Sequence, residues 1–165
     1  MKNQDKLKDF SFQQLFYDSL GLEHFALALN NTDRLIHLDI SENDLGPKNF
    51  SLLQKIFKKN NRIEFLNIAD CKIDGLETKV LCESLKNNKN LKFLYLRNCN
   101  ISDLGSQAVA NLIDYNKTLV ELEIFNCGIT EQGGNAIGNA LKTNFCIEKL
   151  SIGDNKLNRK DVEQI

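Results

Sequence analysis

The sequence repeats itself every 28 residues, and that period constrains the fold more than any other feature. Leu35, Ile63, Leu91, Leu119 and Ile147 form one column, and Leu38, Leu66, Leu94, Leu122 and Leu150 the next. Ile40, Ile68, Leu96, Ile124 and Ile152 make a third. Asn43, Cys71, Cys99, Cys127 and Asn155 follow, then Leu45, Ile73, Ile101, Ile129 and Leu157, with no insertion in any column. A unit this short cannot bury its apolar face alone, so successive copies must stack into one continuous core.

Within each unit the period changes. At the start, as in Leu91 to Cys99, apolar positions alternate with others, which marks a strand whose successive side chains take opposite faces. Further on, Leu53 and Phe57, Leu81 and Leu85, Val109 and Ile113, and Ile137 and Leu141 are spaced by four among Lys, Asn and Glu, which predicts a helix. Asn60, Asn88, Asn116 and Asn144 fall just after those helices. There a short amide is expected to take a left-handed conformation and to satisfy free carbonyls. Consecutive strands should therefore lie side by side and parallel. Helices are wider than the strand spacing of about 4.8 Å, which puts the strands on the inside of a curve.

These Leu-x-x-Leu-x-Leu-x-x-Asn/Cys-x-Leu frames resemble leucine-rich repeats of the ribonuclease-inhibitor type, closely over residues 35–157 and loosely over 7–34. The resemblance implies an α/β leucine-rich-repeat solenoid, a horseshoe arc with parallel β-strands on the concave face and α-helices on the convex face. For function it implies binding of another protein on the concave face, sometimes over an enzyme's active site. Intracellular receptors, GTPase activators and effectors secreted by intracellular bacteria use the same unit.

Residues 1–34 read as an N-terminal cap, a degenerate first repeat with room for a largely helical structure. The register puts Leu7, Phe10 and Phe12 before Leu35, Leu38 and Ile40, but Leu15, Phe16 and Tyr17 replace the polar turn. Residues 35–165 hold four complete repeats and a partial fifth. Ile165 falls in the column of Val109 and Ile137, so the last repeat ends inside its helix, and the expectation is a chain cut from something longer.

Lys+Arg 21 against Asp+Glu 22 leaves a formal net charge of -1, with no bulk pull toward nucleic acid or membrane. No run approaches the roughly 20 apolar residues of a spanning helix, and Met1-Lys-Asn-Gln-Asp-Lys does not lead into a secretory signal. Five cysteines, three of them at one repeat position, speak against a disulfide framework. The expectation is a reduced cytoplasmic domain, monomeric when free. The Lys- and Asn-rich composition hints at an AT-rich genome, and so at a bacterial effector delivered into a host cell.

Three constellations invite a chemical reading and do not support it. Cys71, Cys99 and Cys127, stacked on neighbouring turns, would stand in a line about 5 Å apart, whereas a tetrahedral metal site needs ligands converging within about 2.3 Å of one ion. Asn43 and Asn155 share the column, so a small buried group bonded to turn backbone is expected there. His37, Asp39 and Ser41 contain the residue types of a hydrolase triad, but alternate strand positions are about 6.6 to 7 Å apart, and nucleophile and base must meet within about 3 Å. Gly133-Gly134 only opens a helix, His24 reads as a partly buried structural histidine, and the lysines at 55, 58, 59, 79, 86 and 89 read as a solvated outer face. No enzyme activity, metal, cofactor or nucleic acid is expected.

The out-facing columns are different. They read His37, Phe65, Phe93, Glu121, Lys149; then Asp39, Asn67, Tyr95, Glu123, Ser151; then Ser41, Ala69, Arg97, Phe125, Gly153. Phe65, Phe93, Tyr95, Arg97 and Phe125 are of the types enriched at interface hot spots and are expected to anchor a partner. His37, Asp39, Asp70, Glu121, Glu123 and Lys149 would surround them. Six acids (Asp39, Glu42, Asp70, Glu121, Glu123, Asp154) against Arg97 and Lys149 leave an excess of four negatives, which fits a protein with a basic rim around an apolar patch. Five strands of four out-facing residues project roughly 300 to 400 Å², below the usual 800 Å² or so per partner. Loops carrying Asp44, Lys72, Asn100 and Lys156, or further repeats, should therefore contribute. Two functions fit: a stand-alone binder that inhibits an enzyme by covering it, and the recognition domain of a larger GTPase- or ubiquitin-pathway regulator or bacterial effector.

Overall fold

A computed structural model describes residues 8–11, 13, 19–29 and 34–158. The chain alternates β1 (Asp9–Ser11), α1 (Ser19–Leu29), β2 (His37–Asp39), α2 (Pro47–Lys59), β3 (Phe65–Asn67), α3 (Gly75–Leu85), β4 (Phe93–Tyr95), α4 (Ser102–Tyr115), β5 (Glu121–Glu123), α5 (Glu131–Leu141) and β6 (Lys149–Ser151). The six strands form one parallel sheet in chain order. Phe10 pairs with Leu38, and Leu38, Leu66, Leu94, Leu122 and Leu150 follow in register. This is the α/β solenoid that the 28-residue columns predict. The expectations for Leu7, Phe12, Leu15, Phe16, Tyr17 and Ile165 lie outside the described residues.

The in-facing columns build one core. Leu35, Leu38, Ile40, Ile63, Leu66, Ile68, Leu91, Leu94, Leu96, Leu119, Leu122 and Ile124 have no exposed surface. Leu53, Phe57, Leu81, Leu85, Val109, Ile113 and Ile137 meet them from the helices. At Gly105 an added Cβ would lie 3.1 Å from the Thr78 Cβ, and at Gly133 2.8 Å from the Ser106 Cβ. The absent side chains let α3, α4 and α5 approach closely. Asp74 caps α3 with Glu77 in a reciprocal capping box, while Asp103 reaches across to α5, accepting from Thr130 N (2.8 Å), Thr130 Oγ1 (2.6 Å) and Gly133 N (3.1 Å).

Asn88, Asn116 and Asn144 satisfy carbonyls, as expected, while the Asn60 side-chain nitrogen is buried without a hydrogen-bond partner, and the conformation is not left-handed: Asn60 has φ -96° and Asn116 φ -85°. The left-handed positions come at the strand exits, where Glu42, Asp70, Asn98, Asn126 and Asp154 have φ between 51° and 60°. At these turns the chain must reverse its curl within two residues, and Asn and Asp bear that backbone better than most side chains. The return asparagines instead bond one repeat to the next. Asn88 Nδ2 donates to Ile63 O (3.0 Å), Asn116 Nδ2 to Asn88 O (3.2 Å), and Asn144 Nδ2 to Ile113 O (2.7 Å) and Asn116 O (3.0 Å).

The cysteine column is a second ladder. Cys71, Cys99 and Cys127 are buried, and each thiol donates to a carbonyl of the preceding turn: Ile40 O (3.1 Å), Ile68 O (3.3 Å) and Leu96 O (3.2 Å). Asn43 and Asn155 use their amides in the same column, Asn155 Nδ2 reaching Ile124 O at 2.8 Å. Burial pushes the Cys127 thiol up to about 12 and raises Cys71 and Cys99 as well, so these sulfurs are unreactive donors. No group of three or more potential metal ligands occurs among the described residues.

Candidate functional site on the concave sheet

The regular strands are only three residues long, and this limits which side chains the pleat controls. The first two out-facing columns stand on strands. The third, at 41, 69, 97, 125 and 153, lies beyond them, just before the left-handed turn. Alternation therefore holds for the first two, apart from the buried Asn67, and weakens in the third. Ser41 and Ala69, expected to face out, are buried. Arg97 is exposed and Phe125 half-buried.

Parallel register brings Phe65, Phe93 and Tyr95 together. Phe65 and Tyr95 meet edge to face, with centroids 5.2 Å apart at 82°, and Phe65 lies 6.3 Å from Phe93. His37 extends the row, edge-on to Phe65 at 6.0 Å. Edge-to-face pairs suit the ring quadrupole, and all three larger rings remain half-buried. Phe125 does not join them. Its ring packs on the last turn, where a Cβ at Gly153 would come within 3.3 Å of it. The five expected anchors thus divide into a cluster of three rings, with Arg97 close enough to Tyr95 to favour its ionised form, and a separate Phe125.

The surrounding acids are more engaged than their charges suggest. Asp39 accepts from Ser41 N (3.0 Å), Ser41 Oγ (2.7 Å), Gln13 Nε2 (3.0 Å) and Asn67 Nδ2 (3.1 Å). Burial opposes its ionisation, but these bonds outweigh burial and hold its carboxyl below the usual value. Glu121, 17% exposed at the side chain, accepts from Tyr95 Oη (3.1 Å) and pairs with Lys149 Nζ (3.2 Å), so β4, β5 and β6 are tied by one polar chain. Burial first, then Glu121 and Glu123, push the Tyr95 phenol up to about 12. Asp70 accepts from Asn98 Nδ2 (2.9 Å), and Asn98 Oδ1 in turn from Asn126 Nδ2 (2.9 Å). His37 Nδ1 lies 2.6 Å from Asp9 Oδ1 on β1.

Asp9 and Gln13 were not picked out from the sequence. The signal that reaches Asp9 is the Phe10 register, which places it beside His37 at one more 28-residue step. His24 proves exposed rather than partly buried. Asp44 and Lys72, expected to extend the contact surface, form an exposed ion pair at 3.0 Å.

The concave sheet offers shallow relief, such as the hollow between β5 and β6 lined by Glu121, Glu123 and Lys149. Deeper space lies on the convex side, in an open groove of about 430 Å³ between α3 and α4, floored by Cys82, Ala108 and Leu112. Lys86 closes one end, with Nζ 3.7 Å from the centroid of Tyr115.

The family model described as "Leucine Rich repeat" matches residues 87–110 and 115–138. Among solved structures the chain is similar to one titled "Leiomodin-1 Actin-Binding Site 2 (ABS2)", with TM-score 0.70 and 20% identity, covering 87% of this chain and 84% of that one. It is similar also to the tropomodulin C-terminal domain of Caenorhabditis elegans, with TM-score 0.71 and 12% identity, covering 85% of each chain. The matched stretches carry leucine-rich repeats, and the chain has the fold of those structures. A search of curated proteins finds no match. The frame columns of the matched stretches recur at the same spacing in the rest of residues 35–157. The rings of Phe65, Phe93 and Tyr95 are not part of that frame.

Proposed function

We propose that this leucine-rich-repeat domain is a non-enzymatic protein-binding module that holds its partner on the concave sheet. The carrying observation is the ring cluster centred on Phe65, edge to face with Tyr95 and tilted against Phe93, half-buried in the free chain and bordered by Arg97, Glu121 and Glu123. Rings already ordered by one another lose little freedom on binding, which favours them as anchors. Asp39 and Asp70 accept from neutral donors, which cancel no charge, whereas Glu121 is paired with Lys149, so the negative field comes from Asp39, Asp70 and Glu123 together with Glu42 and Asp154 at the strand exits. It favours a partner whose apolar patch is bordered by basic residues, and covering an enzyme's active site is one use of such a grip. Shallow relief suits a macromolecule better than a small ligand.

The fold it shares with a leiomodin-1 segment titled as an actin-binding site makes actin the first partner to test. In cosedimentation with actin filaments, and in pull-downs from the native host, Phe93→Ala and Tyr95→Ala should each weaken capture by about 2 kcal/mol or more. Lys55→Ala on the convex side should leave it unchanged. Equal losses for all three would refute the concave site.

A further inference from the structure

One exposed side chain stands outside everything described so far. Phe145 is 90% exposed, on the return between α5 and β6. The turn beneath it is rigid. Asn144 Oδ1 accepts from Cys146 N (2.8 Å) and Ile147 N (3.2 Å), while its amide holds Ile113 O and Asn116 O. The same column in earlier repeats reads Asn61, Lys89 and Lys117, all exposed. Lys89 and Lys117 have a repeat on either side, so exposure belongs to the column and not to the end of the stack. A phenylalanine has replaced a lysine where the fold requires neither.

The surroundings give the partner's chemistry. The returns line up in one row along a flank of the arc, bonded loop to loop through Asn90 Nδ2 to Asn61 O, Asn116 Nδ2 to Asn88 O and Asn144 Nδ2 to Asn116 O. This row carries the exposed side chains of Lys58, Lys59, Arg62, Lys89, Lys117 and Lys142. On the same loops stand the acids Asp114 and Glu148, with Glu64 paired to Lys92 at 2.8 Å. The opposite flank carries Glu42, Asp44, Asp70, Asp74, Asp103 and Asp154, so a chain of net charge -1 has one strongly basic edge. Basic residues near helix C-termini complement the helix dipole, which accounts for lysines there. It does not account for Phe145.

We propose that this flank docks on an anionic lipid surface, with Phe145 entering the interface and Lys89, Lys117 and Lys142 meeting the headgroups. Lysine is depleted from the cores of protein interfaces, and here it holds two of the three earlier positions in the Phe145 column, both exposed. A single-stranded nucleic acid would call for several stacking platforms, but this flank adds only Tyr115 among the described residues, exposed with one ring face taken by Lys86. Membrane attachment needs two weak signals, one apolar and one basic, and this edge has both. No helix among the described residues is long and apolar enough to cross a membrane, so the contact is peripheral.

The test is cosedimentation of the whole chain with phosphatidylcholine vesicles, with and without phosphatidylserine. Binding should require phosphatidylserine and fall with added salt. Phe145→Ser should lower partitioning about tenfold, with an unchanged thermal midpoint, because the ring is already in water. Joint Lys117→Glu and Lys142→Glu should lower it about a hundredfold. Phe93→Ala should leave it unchanged, which keeps the outcome separate from that of the concave site. Absence of vesicle binding, equal binding to pure phosphatidylcholine, or indifference to Phe145→Ser overturns the proposal. Phe145-dependent capture of an oligothymidylate in place of vesicles would reassign the edge to nucleic acid.

Discussion

On β4, neighbouring residues obey different rules. Leu94 faces inward, has no exposed surface, and is matched by leucine in four other strands. Phe93 and Tyr95 flank it on the other face, and their columns change identity at every repeat but one, Phe65 to Phe93. The inward side is fixed by stacking, because each side chain must fit a neighbour that is a copy of itself. The outward side has no such condition, so what stands there reports on something other than the stack.

The largest effect that separates the two sides is Leu94→Ala, expected to cost about 3 kcal/mol or more in urea unfolding, since the cavity has the sheet on one side and helices on the other. Asn116→Ala comes next, at about 2 to 3 kcal/mol, because it leaves Asn88 O, Thr118 N and Leu119 N without their buried partner. Phe93→Ala should cost only about 1 kcal/mol of stability, the ring being half in solvent. If it cost as much as Leu94→Ala, the outward rings would be architecture and the comparison would fail. Cys99→Asn is expected to stay within about 1 kcal/mol, since Asn155 already makes the same bond to the preceding repeat from this column.

The smallest effect is seen only in alkali. Tyr95 holds its proton to about 12 in the fold, against an ordinary value of 10.0. The folded state therefore binds that proton more tightly than the unfolded state does. This contribution to stability is complete below pH 10 and is lost as pH rises from 10 toward 12. The difference between the phenolate absorbance titrations of the native chain and Tyr95→Phe should show a midpoint near 12, and the variant's stability should fall less over that range.

The sequence shows the strands, the helices and the core because the 28-residue register leaves one solution for the in-facing columns. It shows the rings of Phe65, Phe93 and Tyr95 for the same reason, since parallel register puts the first two out-facing columns side by side. It misplaces what lies beyond the three-residue strands. Ser41 and Ala69 are buried there, and Phe125 packs against Gly153, because alternation stops at the left-handed turn. The left-handed residue itself is misassigned to Asn60 and its column, since an amide that bonds the next repeat and one that relieves backbone strain are the same residue type. A net charge of -1 likewise conceals a basic and an acidic flank, because a sum over the chain does not record which end of each helix a charge occupies.

The glycine contacts have a consequence for motion. Gly105 and Gly133 seat α4 and α5 tightly, whereas the same column holds Asn49 in α2 and Glu77 in α3, and the side-chain Oδ1 of Asn49 is buried without a hydrogen-bond partner. Each repeat is anchored only to its neighbours, so opening is a local event that spreads from the loosest junction. Amide hydrogen exchange should accordingly be graded along the chain, fastest in α1 and α2 and slowest in α4. The aromatic cluster on β3 and β4 would then lie on the boundary between faster and slower exchange.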